Sequence, residues 1–267
     1  MIKIAAFTSN RADLIELQMR AFNKNIQEEF SYTIFNNSKV DRPEESPRII
    51  QACKDWGVNV VDVELDAAVL AHANSIEKSC TMLNQFGKWS NPNCAGSYGC
   101  IYLWEKFLRH QKGAICLLHG DIFFDRPIVL TDYLKTTPLV FAPATSPGLG
   151  GDYMAECLVL MDMDRIPNPE TIDWMGSLVN GIPTDGGGQT FFYLKAHPEI
   201  VPMHIQRWHH SDDETVDFHP ADYEVLAIND QPIALHYLRA SNWNNRSHDY
   251  HVKKTAWLRN RLFSVTA

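Results

Sequence analysis

Short apolar runs alternate with segments of helical period through the first part of the chain, and this alternation constrains the fold more than any other feature. Residues 2–8, IKIAAFT, are apolar without a break. A strand reads this way when both of its faces are covered, as in a parallel sheet. The next segment, RADLIELQMRAFNKNI, carries Leu14, Leu17, Ala21 and Phe22 on one helical face. SYTIFNNS (31–38) follows as a second strand, PEESPRIIQACKDWG as a helix closed by Gly57, and VNVVDVEL (58–65) as a third strand. Strand–helix–strand–helix–strand predicts an α/β fold built on a mostly parallel sheet.

Later segments continue the series. NQFGKWSNPNCAG is rich in turn formers and predicts a loop, with a helix over 97–111. ICLLHG is a fourth strand, and 139–145, 156–164 and 232–238 are further strands. Residues 171–179, 187–197 and 248–263 read as helices. The irregular stretch 202–231 reads as a long surface loop over a cleft. No repeat or linker divides the 267 residues, so the expectation is a single domain over 1–267.

A formal net charge of −8 argues against a nucleic-acid-binding surface. No stretch has the length of a membrane span, and the opening MIKIAAFTSNR reads as a first strand and not as a signal peptide. Six cysteines without a Cys-x-x-Cys pair imply reduced thiols and a cytoplasmic setting, with Cys116 and Cys157 in the core.

Ligands of open α/β sheets bind at the carboxyl ends of the strands. Those ends are polar here: Thr8-Ser9-Asn10-Arg11 after the first, Asn36-Asn37-Ser38 after the second, and His119-Gly120-Asp121 after the fourth. Residues two apart on a strand share a face, so His119 and Asp121 can converge on one metal ion. Imidazole and carboxylate suit Zn²⁺ well, and Mn²⁺ or Mg²⁺ less so. The competing reading is a satisfied core histidine followed by a turn aspartate.

AFTSNR, FNNS, a helix and LLHGDIFF, in that order, resemble the nucleotide-sugar glycosyltransferases of the GT-A fold. The resemblance implies a GT-A-like (Rossmann-like) mixed sheet flanked by helices. Residues 1–125 would form a nucleotide-binding half and 126–267 an acceptor-side half. LLHGDIFF looks like the family's strand that ends in Asp-x-Asp, with Asp121 at the second aspartate and His119 replacing the first. The implied cofactor is a divalent metal, Mn²⁺ or Mg²⁺, held by His119, Asp121 and His236, against the diphosphate of a nucleotide-sugar donor. Thr8, Asn10, Arg11, Asn37 and Gly120 would face the nucleotide, and Arg239 or Asn242 the diphosphate. Asp185, ahead of three glycines, and Glu156 would be the catalytic acids. The acceptor would be a glycan, a lipid or a small molecule.

Each assignment has a plain structural alternative. His236 sits in an apolar strand and can be a buried structural histidine, Asp185 a helix cap, and Glu156 a solvated strand end. Trp208, in a His/Asp-rich stretch, can stack on a sugar or simply face solvent. Two other functions share these features. One is a non-catalytic nucleotide- or sugar-binding protein. The other is a sugar-nucleotide pyrophosphorylase, whose glycine-rich basic loop after the first strand has no counterpart in TSNRADLIE.

Overall fold

The uninterrupted apolar runs are strands whose successive side chains enter two different cores. The computed structural model describes residues 1–8, 10–75, 92–176, 178–209, 223–238, 240 and 248–264. Its elements are β1 (Ile2–Thr8), α1 (Ala12–Asn25), β2 (Phe30–Asn36), α2 (Ser38–Asp41), α3 (Ser46–Asp55), β3 (Asn59–Asp62), α4 (Ala67–Ser75), α5 (Pro92–Lys106), β4 (Ala114–His119), β5 (Ile122–Phe124), α6 (Leu130–Leu134), β6 (Leu139–Thr145), β7 (Asp152–Asp162), β8 (Leu178–Val179), β9 (Ile182–Pro183), α7 (Thr190–Ala196), β10 (Met203–His204), β11 (Gln206–His209), β12 (Glu224–Ile228), β13 (Gln231–His236) and α8 (His248–Phe263).

Seven strands form the main sheet, in the order β10-β6-β7-β4-β1-β2-β3. β1 is parallel to β2 and β4, and β2 to β3; β7 runs antiparallel to β4 and β6. The sheet is therefore mixed and mostly parallel, as the sequence predicts. Ile2, Ile4 and Ala6 of β1 pack into one core with Leu17 and Phe22 of α1, Ile49 of α3 and Leu258 of α8. Ala5 and Phe7 pack on the opposite face with Tyr98, Leu103 and Trp104 of α5. Two covered faces leave no place for the polar alternation of a half-exposed strand. Cys53, Cys100, Cys116 and Cys157 are free and buried.

A second, antiparallel sheet, in the order β11-β12-β13-β5, joins the first core. Its β12–β13 hairpin turns on Asn229 and Asp230 at φ 49° and 61°, and β8–β9 turns on Asn180 and Gly181 at 52° and 79°. Positive φ at both central residues matches the strands' twist, and Asn, Asp and Gly tolerate it best.

Four sequence expectations are corrected. ICLLHG is a strand as expected, but LLHGDIFF is not one strand: β4 ends at His119 and β5 belongs to the second sheet. Gly120 sits at the break, packed so closely on β1 that a Cβ there would stand 3.0 Å from both Phe7 O and Thr8 Cβ. The predicted loop over 84–96 is already helical from Pro92, with proline in the first turn where its missing N–H costs nothing; residues 84–91 lie outside the described residues. Gly99 in that helix lies against Asn37, a Cβ there falling 3.0 Å from Asn37 Cγ, so it serves close packing. Residues 171–179 are not a helix. Trp174 O and Met175 O instead accept from Gly187 N and Gln189 N at 2.9 Å each, and the segment ends in β8. The stretch 202–231 holds β10, β11 and β12, with 210–222 outside the described residues.

Candidate metal centre

The two sheets meet at His119-Gly120-Asp121. β4 delivers His119 at the carboxyl end of the main sheet. β5 pairs with β13 so that Ile122 faces His236. Asp121 is thereby set beside His236, with Tyr237 N donating to Asp121 O at 2.9 Å and Ala240 N to Asp121 Oδ2 at 3.4 Å. Leu238, between these two donors, adopts φ 59°. This left-handed turn costs a non-glycine residue about 1–2 kcal/mol and wraps the chain around the carboxylate.

His119, Asp121 and His236 each place a ligand atom within 4.8 Å of the other two. Asp121 Oδ1 lies 3.4 Å from His236 Nε2 and 3.9 Å from His119 Nδ1. Asp121 and His236 are buried, while 26% of the His119 side chain is open. One carboxylate and two imidazoles whose atoms already converge fit a divalent transition metal. The buried His119 Nε2 has no hydrogen-bond partner.

Two residues absent from the sequence expectations complete the cluster. Glu224 of β12 lies 3.0 Å from His236 Nδ1. Arg207 of β11 grips that carboxylate at 2.7 Å (Nη2–Oε1) and 3.1 Å (Nε–Oε2). A carboxylate behind a histidine is how proteins orient a metal-binding imidazole. The signal was a glutamate inside the apolar run YEVLAI, the same kind of signal that marks His119 and Asp121.

Charge alternates along this line. Burial would lower the His236 pKa, but Asp121 and Glu224 outweigh it and raise it to about 9. Burial would raise the Asp121 pKa, but His236 and His119 hold it well below the carboxylate range. His119 is lowered to about 4, chiefly by burial, with His236 and Arg207 adding to it.

Glu156 stands across from His119, with Oε1 3.8 Å from His119 Nε2. It projects from an irregular part of β7. Phe141 pairs with Val159 and the next residue, Ala142, with Ala155, so residues 156–158 have no partner in β6. Such bulges re-aim side chains. Burial, and then Asp185, push the Glu156 carboxyl up to about 8. The glycines after Asp185 are filled by protein: a Cβ on Gly186 would stand 2.5 Å from Glu156 Cδ, and one on Gly187 would strike Met154 O. Asp185 is exposed and accepts from Gly186 N at 2.9 Å. It does not cap α7, whose N-cap is Gln189.

Thr8 and Asn10 are buried at the end of β1, and Asn37 at the end of β2 donates its N–H to Thr8 O at 2.7 Å. Arg11 is 2% exposed and bonded to Asp13 at 2.7 and 2.8 Å and to Thr255 of α8 at 2.8 Å. Trp208 is partly exposed on β11. Arg239 and Asn242 lie outside the described residues.

No protein-family model matches the chain, and no curated protein matches it. Among solved structures it is similar to mouse xyloside xylosyltransferase 1, at 10% identity and TM-score 0.42 over 74% of this chain and 82% of that one. A mannosyltransferase from Pyrobaculum calidifontis, solved with GDP-Man and Mn²⁺, is similar at 10% identity and TM-score 0.42, over 76% of this chain and 54% of that one. The galactosyltransferase LgtC, solved with donor and acceptor sugar analogs, is similar at 10% identity and TM-score 0.37, over 75% and 66%. The chain thus spans about half the length of the mannosyltransferase. No helix among the described residues is long and apolar enough to cross a membrane.

Proposed function

We propose that the protein is a metal-assisted glycosyltransferase that moves a sugar from a nucleotide-diphosphate donor to a glycan, lipid or small-molecule acceptor. The observation that carries this reading is the convergence of His119, Asp121 and His236 where parallel strands end and a second sheet begins. That is the position at which open α/β sheets bind ligands. A divalent cation held by these three side chains supplies positive charge to a leaving diphosphate. Three protein ligands leave coordination positions for phosphate oxygens.

In this reading residues 1–125 bind the nucleotide. Thr8, Asn10, Asn37 and Gly120 line the strand ends facing it, and Arg11 anchors the turn into α1. Arg239 and Asn242, after His236, approach the diphosphate. Residues 126–267 receive the acceptor. There the exposed Asp185 takes the acceptor proton as general base, a role that needs a solvent-reachable carboxylate at neutral pH.

Thermal unfolding with UDP, GDP and CMP, each with and without Mn²⁺, tests the proposal. One nucleotide is expected to raise Tm only when the metal is present, because a ligand stabilises the state it binds. Asp121→Ala is expected to abolish that response. Indifference to every nucleotide overturns the reading.

A further inference from the structure

We propose that Glu156 is the positioning residue of His119, holding the ring so that Nδ1 meets the metal and Nε2–H points back to a carboxyl oxygen of Glu156. The inference rests on the metal-site reading above and deepens it. The sequence suggests a catalytic acid at 156; the geometry points to a different task.

Three observations carry it. First, Asp121 Oδ1 is shared: His236 Nε2 lies 3.4 Å from it and His119 Nδ1 3.9 Å. Donor atoms about 2.0–2.2 Å from one ion stand roughly this far apart, so Nδ1 is the His119 atom that faces the ion. Second, the other nitrogen has a waiting partner. His119 Nε2 and Glu156 Oε2 are both buried without a hydrogen bond, and Glu156 Oε1 is 3.8 Å from Nε2. Orphaned buried polar atoms are rare in folded proteins. Hydrogen-bond length is about 2.9 Å, so a shift of about 1 Å gives Nε2 a partner in the Glu156 carboxyl. Third, His236 repeats the arrangement with its nitrogens exchanged: Nε2 toward Asp121 and Nδ1 on Glu224 at 3.0 Å. Each imidazole then has one nitrogen at the ion and a carboxylate behind the other, as metal-binding histidines usually do.

The surroundings of Glu156 fit a fixed prop. The slipped pairing of β7 aims it, Cys100 bonds to it from α5, and the side-chain-free Gly186 closes over it. Phe7 holds the His119 ring edge-on at 4.8 Å. An aspartate in place of His119 has no second nitrogen to support, so the need for Glu156 arises from the histidine.

The test is a Co²⁺ titration of the full chain, followed by the ligand-field absorption of the bound ion, in wild type, Glu156→Gln, His119→Asp and the double variant. Glu156→Gln is expected to weaken Co²⁺ binding 10- to 100-fold with His119 present, and less than about threefold in the His119→Asp background, where the support has nothing to hold. Long-range ¹H–¹⁵N spectra of the Zn²⁺-loaded wild type are expected to show His119 bound through Nδ1 with Nε2 protonated. Unchanged binding in Glu156→Gln overturns the proposal, as does an equal loss in both backgrounds, which makes Glu156 a ligand itself. Coordination of His119 through Nε2 overturns it too. A wild type with no Co²⁺ absorption overturns the metal site as well and is told apart from these by the missing signal.

Discussion

Glu224 Oε2 lies 3.0 Å from Nδ1 of His236 and fixes which nitrogen of that histidine is left for Asp121 and a metal. With Nδ1 committed to a carboxylate that Arg207 holds by a two-pronged bond, only Nε2 faces the cluster. The orientation of one candidate ligand is thus set from β11 and β12, two strands that supply no ligand of their own.

Glu224→Gln keeps the shape of the side chain but removes the charge that backs His236. Metal affinity is expected to fall 10- to 100-fold, with secondary structure unchanged. Calorimetric titration of Mn²⁺ into the metal-free variant, set beside its circular dichroism, checks both halves of the statement.

The donor set predicts metal preference. Two imidazoles and one carboxylate favour Mn²⁺, Co²⁺ and Zn²⁺ over Mg²⁺, whose demand is for oxygen ligands. Mg²⁺ at millimolar concentration is expected to leave Tm of the wild type within 1 °C, roughly the noise of the measurement, whereas micromolar Zn²⁺ raises it. His119→Asp is expected to move the preference toward Mg²⁺.

Two opposite pH slopes follow for the metal-free protein. His236 rises from 6.5 unfolded to about 9 folded, so its contribution is complete below pH 6.5 and is lost as pH climbs through 9. His119 falls from 6.5 to about 4; the unfolded chain takes up this proton first, so stability drops as pH falls from 6.5 toward 4. Metal affinity rises with pH up to about 9, because His236 must give up its proton to bind. Glu156, raised from 4.5 to about 8, contributes a limb that falls with pH and offsets that of His119. Denaturant unfolding from pH 4 to 9 is therefore expected to show metal-free stability falling from about pH 6.5 to 9, a fall that Zn²⁺ opposes. His236→Gln should flatten the alkaline limb.

Gly186→Ala and Gly187→Ala separate the site from the fold. A methyl at 186 meets the Glu156 carboxyl at 2.5 Å, a side chain that can shift. The expected result is weaker metal binding with a small change in Tm. A methyl at 187 meets the Met154 carbonyl from a backbone at φ 86°. Overpacking and left-handed strain together cost about 2–4 kcal/mol, expected to lower Tm by roughly 5–15 °C. Differential scanning fluorimetry and Co²⁺ titration of both variants distinguish the two.

Much of the first third was legible because its signals are local. Ile2–Thr8 and Ala12–Asn25 fall within a residue or two of their apolar patterns. The failures have two causes. TIDWMGSLV has an amphipathic look, yet Trp174 and Met175 bond to the glycine loop and not along a helix, so a distant partner overrides local preference. PNCAG contains turn formers, yet its proline opens a helix, a local start signal that the turn composition hid. The glycines after Asp185 admit neighbouring protein, Glu156 and Met154, which no local spacing announces.

The sequence by itself determined the mostly parallel α/β core and the polar strand ends, because periodicity is a property of a single segment. Only the tertiary structure decided that the run LLHGDIFF divides between two sheets at Gly120, and that this division seats Asp121 beside His236. It alone placed Glu224, Arg207 and Glu156 behind the two histidines. Strand pairing depends on which apolar faces find each other across the chain, and no local spacing records that choice.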